Sequence, residues 1–360
     1  MGRLTRRALA PAAVLAIVGV LATVASARVT APGRTKANIQ VCALLPDTKS
    51  SVRYTLFDKP YLEKAFKAAN VSYRVVNALG STSTQKSQGD QCLSSGAKVL
   101  LVDGLNSGVA AAIENSAAAK GAKTIDYDRL TLKGKSSYYV SFNNVNVGKL
   151  QGNGVVSGLK AKGKYNSHPV VAELNGAPTD NNAKLFKQGY DSILKPLYKK
   201  NTFKKGPDTS VPDWNNQKAR VIFDQMLVHT SNKIDAVAAA NDGLAGAVVA
   251  SLQAHHLKAI PLSGQDATPQ GVQNILAGWQ TMTVYKSVKA EAKAAAGAAI
   301  AIIKGQKVKT NSSISNGSRN VPSIFLKPIS ITKKNYKLLF TDGFLKKSQV
   351  CTGKFKKYCK

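Results

Sequence analysis

Acidic side chains are scarce in this chain: 19 Asp and Glu face 51 Lys and Arg, a formal net charge of +32 over 360 residues. Aromatic residues are also few, at 7%. The lysines are scattered along the whole chain and do not alternate with aromatic rings in one block, so no specific nucleic-acid surface is expected. A field of this sign still attracts anionic envelope material non-specifically. No Cys-x-x-Cys occurs, and His168, His229, His255 and His256 have no ligand-like spacing with the cysteines, so neither a metal nor a cofactor is expected. His-Glu-x-x-His and Gly-x-Ser-x-Gly are both absent, which removes the common hydrolase signatures. No repeat of about 20–50 residues is present, which excludes solenoids. Beyond the N-terminal segment no stretch reaches the ~18 apolar residues of a membrane span.

The N-terminal segment carries Arg3, Arg6 and Arg7, then an uncharged run from Ala8 to Val24, then Ala25-Ser26-Ala27. A basic start, an apolar run and a small-x-small site make residues 1–27 a secretory signal peptide, so the protein is expected to be exported. Without those three arginines the charge is +29. No cysteine follows the run, so no lipoprotein anchor signal is read. Export makes the four cysteines readable as disulfides, with three connectivities open. Cys351 and Cys359 would close a short loop in a lysine-rich tail, leaving Cys42 on the first strand to pair with Cys92 on a nearby helix.

The segment 234–286 organises the rest. It holds three short apolar runs that end in polar groups: Ile234 to Ala240 before Asn241, Ala259 to Leu262 before Ser263-Gly264-Gln265-Asp266, and Thr281 to Tyr285 before Lys286. Apolar runs of this length, separated by helix-like segments such as Leu244 to Ala254, are the pattern of βαβ units and a parallel sheet. Ligands of such sheets bind outside the carboxyl ends of the strands. Asn241, Asp266 and Lys286 are therefore expected in one crevice. Upstream, strands at 38–45, 71–76, 98–102, 122–125 and 138–142 alternate with helices at 56–69, 84–95 and 108–120, and a long helix opens at Asn143-Asn144. A second alternating series begins at Pro169. The expected fold class is α/β with two doubly wound parallel-sheet lobes. Residues 310–319 read as an exposed loop, marked by sequons at Asn311 and Asn316, before a single final strand at 322–331.

Several motifs compete with blander readings. Gly152-x-Gly154 with Gly158 has the wrong spacing for a dinucleotide fingerprint and lies within a helix. Gly158 with Gly163-Lys164 has phosphate-loop spacing, but Tyr165 stands where Ser or Thr is required. Asp126 and Asp128, two apart at a strand end, could form an acid/base pair. Arg129 alongside favours an ionised carboxylate that accepts hydrogen bonds. Asp180, entering a helix, is either an N-cap or a ligand group. Trp214 lies in a polar loop where a core tryptophan is unexpected, and a flat ring among Asp, Asn and Arg suits a sugar.

Six segments carry a resemblance to a known family: Asp126-Tyr-Asp-Arg129, Tyr139-Val-Ser-Phe-Asn-Asn144, Pro178-Thr-Asp-Asn-Asn-Ala-Lys-Leu-Phe186, Asn232-Lys-Ile-Asp-Ala-Val237, Ser263-Gly-Gln-Asp-Ala267 and Gln280-Thr-Met-Thr-Val-Tyr-Lys286. In order and spacing, from about Asn38 to Gly343, the chain resembles the D-xylose-binding proteins of bacterial ABC transporters. That resemblance implies a periplasmic binding protein of type I, with lobe 1 at 38–142 and 283–323, lobe 2 at 143–282 and 324–345, and a basic tail at 346–360. It implies a three-strand hinge near Phe142, Asn143 and Thr283, and a third crossing near 321–324. It also implies a non-enzymatic monomer that closes on one monosaccharide, D-xylose or a related aldose, and hands it to a membrane permease. A sensor delivering the closed form to a receptor and a sugar-modifying enzyme using Asp126 and Asp128 are the alternatives. By match, the sugar-facing set is Arg53, Asp128, Arg129, Asp180 or Asn182, Trp214, Asn241, Asp266 and Lys286. Tyr54 stands where the family has tryptophan, and the resemblance does not extend to the cysteines or the tail.

Overall fold

The computed structural model describes residues 38–359; the expected signal peptide lies outside them. Strand and helix alternate from the start: β1 Val41–Leu45, α1 Lys59–Ala68, β2 Tyr73–Asn77, α2 Thr82–Ser94, β3 Val99–Val102, α3 Ser107–Ala119, β4 Lys123–Tyr127 and β5 Tyr138–Phe142. The second series runs α4 Asn144–Ala161, β6 Val170–Asn175, α5 Asn181–Lys199, β7 Lys204–Ser210, α6 Asn216–His229, β8 Ala236–Ala239, α7 Asp242–Ala254, α8 Pro269–Leu276 and β9 Thr283–Tyr285. Then come α9 Val288–Ile303, β10 Ser312–Ser315, β11 Asn320–Leu326, β12 Ile329–Ile331 and two short helices, α10 Leu338–Thr341 and α11 Lys347–Val350.

The first lobe is a seven-stranded sheet in the order β10-β11-β5-β4-β3-β1-β2. It is parallel except for the β10–β11 hairpin. β1 and β3 are buried throughout, which explains their unbroken apolar sequences in a sheet covered on both faces. The second lobe is built on β7-β6-β8 and the antiparallel pair β12-β9. Between these two groups the expected strand at 259–262 makes only single bridges, Val237 to Leu262 and Gln265 to Val284. Pro261 has no N–H to give a ladder. On the edge strand β7, Gly206 and Pro207 fall at a register shift against β6, where a proline costs no central ladder bond.

Four other expectations change. Residues 310–319 contain strand β10, and Asn316 is fully buried in its turn, donating to the Gly134 carbonyl at 3.0 Å. The final strand is two strands, since β11 stays paired with β5 through Leu326 and the chain breaks at Lys327-Pro328 before β12. The third crossing therefore comes at 327–328. The second comes after Tyr285, because Thr283 is paired with Ile331. The first is at Phe142-Asn143, where β5 ends and Asn143 caps α4 by accepting from the Asn146 N–H at 3.0 Å.

The glycines of α4 serve packing. A Cβ on Gly152 would meet Tyr190 and Ile193 of α5 at 3.0–3.2 Å, and one on Gly158 would meet Pro261 at 2.7 Å. Both disulfides join the expected partners, Cys42 with Cys92 and Cys351 with Cys359. The first ties β1 to α2 inside the core, where both cysteines are fully buried.

Candidate functional site

Arg53, Asp128, Arg129, Asp180, Asn182, Trp214, Asn241, Asp266 and Lys286, the nine sequence-predicted residues, all line one chamber between the lobes. It is also lined by Ser50, Ser51, Tyr54, Phe186 and Gln265. Every one of the nine is at least nine-tenths buried.

Local sequence explains their placement. Asn241 is the N-cap of α7, its Oδ1 accepting from the Leu244 N–H at 2.9 Å and its Nδ2 donating to the Ser50 carbonyl across the cleft at 3.1 Å. Asp180 caps α5 through the Asn182 N–H at 2.9 Å, and its other oxygen accepts from Trp214 Nε1 at 3.1 Å. The N-cap and ligand readings of Asp180 therefore both have a geometric basis. Lys286 follows β9, and Asp266 follows the bridge between Gln265 and Val284. Asp128 (φ 57°) and Asp266 (φ 98°) hold left-handed backbone, an unfavourable conformation that over-determined sites maintain.

Each arginine is held among three carboxylates. Arg53 donates from Nε and Nη2 to both oxygens of Asp58 at 2.9 and 2.7 Å, from Nη2 to Glu291 at 2.5 Å and from Nη1 to Asp128 at 2.9 Å. Arg129 has its Nε 3.2 Å from Asp180 and 3.5 Å from Asp103, with Asp47 at 4.0 Å. Its Nη2 reaches Tyr54 Oη at 3.3 Å. Lys286 Nζ donates to Asp128 Oδ1 at 3.0 Å.

Burial alone would raise the Asp128 carboxyl, but Arg53, Lys286 and Arg129 hold it well below the ordinary carboxylate range. Burial raises Asp266, with Lys286 and Arg53 opposing that rise in part. Asp126, two residues before Asp128, does not enter the chamber. β4 ends at Tyr127, and the left-handed turn at Asp128 breaks the alternation that would put both carboxylates on one face. Asp126 instead accepts from the Thr131 N–H, Thr131 Oγ1 and Ser136 Oγ at 2.7–2.9 Å, and burial, then Glu114, push it well up. The acid/base pair is not assembled.

Trp214 was expected in a polar loop away from the core. It is buried, edge-on to Phe186 with centroids 6.4 Å apart, and belongs to the second lobe's core as well as to the chamber wall. Sequence reasoning missed Gln265, whose Oε1 is buried with no protein hydrogen-bond partner. Its position beside Asp266 at a strand end was the available signal. Asp58 and Glu291, which grip Arg53 from behind, were missed as well.

A chamber between two doubly wound lobes, lined by fixed charges and aromatic faces, defines a solute-binding protein. The model of the periplasmic binding protein domain matches residues 42–307, and the chain belongs to that family, among its sugar-binding members that serve ABC transporters. It is 35% identical to the D-xylose-binding periplasmic protein of Escherichia coli over 81% of this chain and 87% of that one. It is 30% identical to the multiple sugar-binding periplasmic receptor ChvE of Rhizobium radiobacter over 84% and 90%. An ABC transporter solute-binding protein from Clostridium phytofermentans, solved with β-D-glucose, superposes with a TM-score of 0.81 at 27% identity, covering 86% of this chain and 99% of that one. The curated relatives are named as periplasmic sugar-binding proteins, and this chain is an exported, non-enzymatic binding protein of that kind. Among the described residues no helix is long and apolar enough to cross a membrane.

Proposed function

We propose that the chamber holds one aldopyranose, D-xylose or a sugar of similar size, and that the closed form delivers it to the permease of an ABC transporter. The observation that carries this reading is the composition of the chamber wall. Donor-only groups (Arg53, Arg129, Lys286), acceptor-only groups (Asp128, Asp180, Asp266) and amides that do both (Asn182, Asn241, Gln265) converge on one space. A ring of hydroxyls, each both donor and acceptor, satisfies such a mixture, including the orphan oxygen of Gln265. Trp214 and Phe186 offer apolar faces to the C–H face of a sugar ring. The named relatives that bind D-xylose, at 35–36% identity, favour a pentose. Closure would bury the sugar between lobes joined at the three crossings.

Calorimetric titration with D-xylose, L-arabinose, D-ribose, D-glucose and D-galactose tests the reading. Saturable binding of D-xylose, weakened at least about fivefold in Gln265→Ala, is expected, since removing a buried hydrogen-bond partner costs about 1–3 kcal/mol. Heat from none of the five sugars would end it.

A further inference from the structure

The C-terminal tail is a built part of the protein, although the family resemblance stops short of it. Val350 is fully buried, and Gln273 of α8 donates to the Val350 carbonyl at 3.1 Å. The Cys351–Cys359 disulfide then closes a helical turn at Gly353–Tyr358. Lys346, Lys347, Lys354, Lys356 and Lys357 are all exposed on this clip, and among the described residues none of them forms an ion pair. No acidic residue follows Asp342, which is itself engaged by Tyr285 Oη.

The clip also displays apolar surface. Phe355 and Tyr358 are half-buried, with Lys354 and Lys357 over their rings at 5.4 and 5.1 Å. Both rings line a groove shared with Val52 and Leu56 of the first lobe, which are 44% and 46% exposed. Arg220 and Lys49 add charge to the same groove.

We propose that this clip is an adsorption surface for an anionic lipid bilayer, the lysines meeting acidic headgroups while the aromatic rings sit at the interface. Unpaired lysines beside partly exposed rings match such a boundary in both charge and polarity, whereas a soluble polyanion would use only the charge. The proposal does not rest on the identity of the sugar.

The test is co-sedimentation of the exported protein with phosphatidylcholine vesicles, with and without phosphatidylglycerol, at low and high salt. Binding only to the phosphatidylglycerol vesicles, released by salt, is expected. The variant K354Q/K356Q/K357Q is expected to bind about a hundredfold more weakly, at about fivefold per lysine, while its thermal melt and sugar titration stay unchanged. The variant K199Q/K200Q/K204Q removes equal charge from the α5–β7 turn and is expected to lose no more than about fivefold. Equal loss in both variants would reduce the clip to general charge attraction and overturn the proposal, as would failure of the unaltered protein to bind phosphatidylglycerol. Tight binding of inorganic polyphosphate through the same three lysines, without vesicle binding, would also overturn it in favour of a soluble polyanion.

Discussion

Charges inside this molecule and charges on its surface follow opposite rules. Twelve of the 19 acidic side chains are buried, whereas Arg53, Arg129 and Lys286 are the only buried cations among the described residues. Around the chamber each cation faces carboxylates at bonding distance; on the clip the lysines face none. Half of the buried acids, Asp47, Asp58, Asp103, Asp128, Asp180 and Glu291, hold Arg53 and Arg129, while surface acids such as Asp90 and Asp213 pair with single lysines. An internal ion network is intolerant of losing one member, because the remainder is left uncompensated in a medium that cannot solvate it. A solvated surface lysine is nearly neutral for stability.

The largest expected effect that tests this contrast is Arg53→Met. It leaves Asp58, Glu291 and Asp128 without their common partner and is expected to cost about 3–5 kcal/mol in urea unfolding. A loss under 1 kcal/mol would mean the interior network is not what holds the site. Asp242 comes next. Burial pushes its carboxyl up to about 7, with donors from Gln280 and Thr268 resisting the rise. Because the folded value lies above the unfolded one, the folded state holds the proton more tightly, and stability declines as pH rises from about 4 to about 7, by at most about 4 kcal/mol. Melting curves across that range are expected to show a shallower decline in Asp242→Asn; an unchanged slope would clear Asp242 of the effect.

Gly176→Ala is expected to cost about 1–3 kcal/mol of stability and to weaken sugar binding, since an added Cβ would lie 2.0 Å from the Trp214 ring. A normal titration in that variant would show the indole is not placed by this contact. The smallest effect belongs to the surface: Lys199→Glu with Lys200→Glu should stay within about 0.5 kcal/mol, and a larger change would blur the distinction between the two regions.

Several residues of the chamber sit where local sequence signals are strong, while Arg53 and Asn182 are named only through the family resemblance. Asn241 and Asp180 are helix caps, Lys286 and Asp266 end apolar runs, and Asp128 with Arg129 follows a strand. The supporting acids were not legible. Asp58 precedes α1 and Glu291 lies in the first turn of α9, and on sequence both look like ordinary solvated helix acids. Only the packing of α9 against α1 in the first core buries them. Tertiary contact likewise decides the β10 hairpin, whose residues Ser312–Ser315 have little strand character and pair because β11 offers an edge. The break at Pro328 was visible as a proline but not as a change of sheet.

The contacts that join the two lobes across the chamber also set a clock. Asn241 to Ser50, Ser51 to Asp266 at 3.0 Å, Arg129 to Asp180 and Asn182 to the Asp128 carbonyl at 3.0 Å all bridge the two lobes directly, so the lobes separate only when these contacts part. Escape of a bound solute is then paced by how often these contacts part together. Sugars that differ in affinity should converge on a similar maximum departure rate, with their differences shifted toward how readily each one triggers closure.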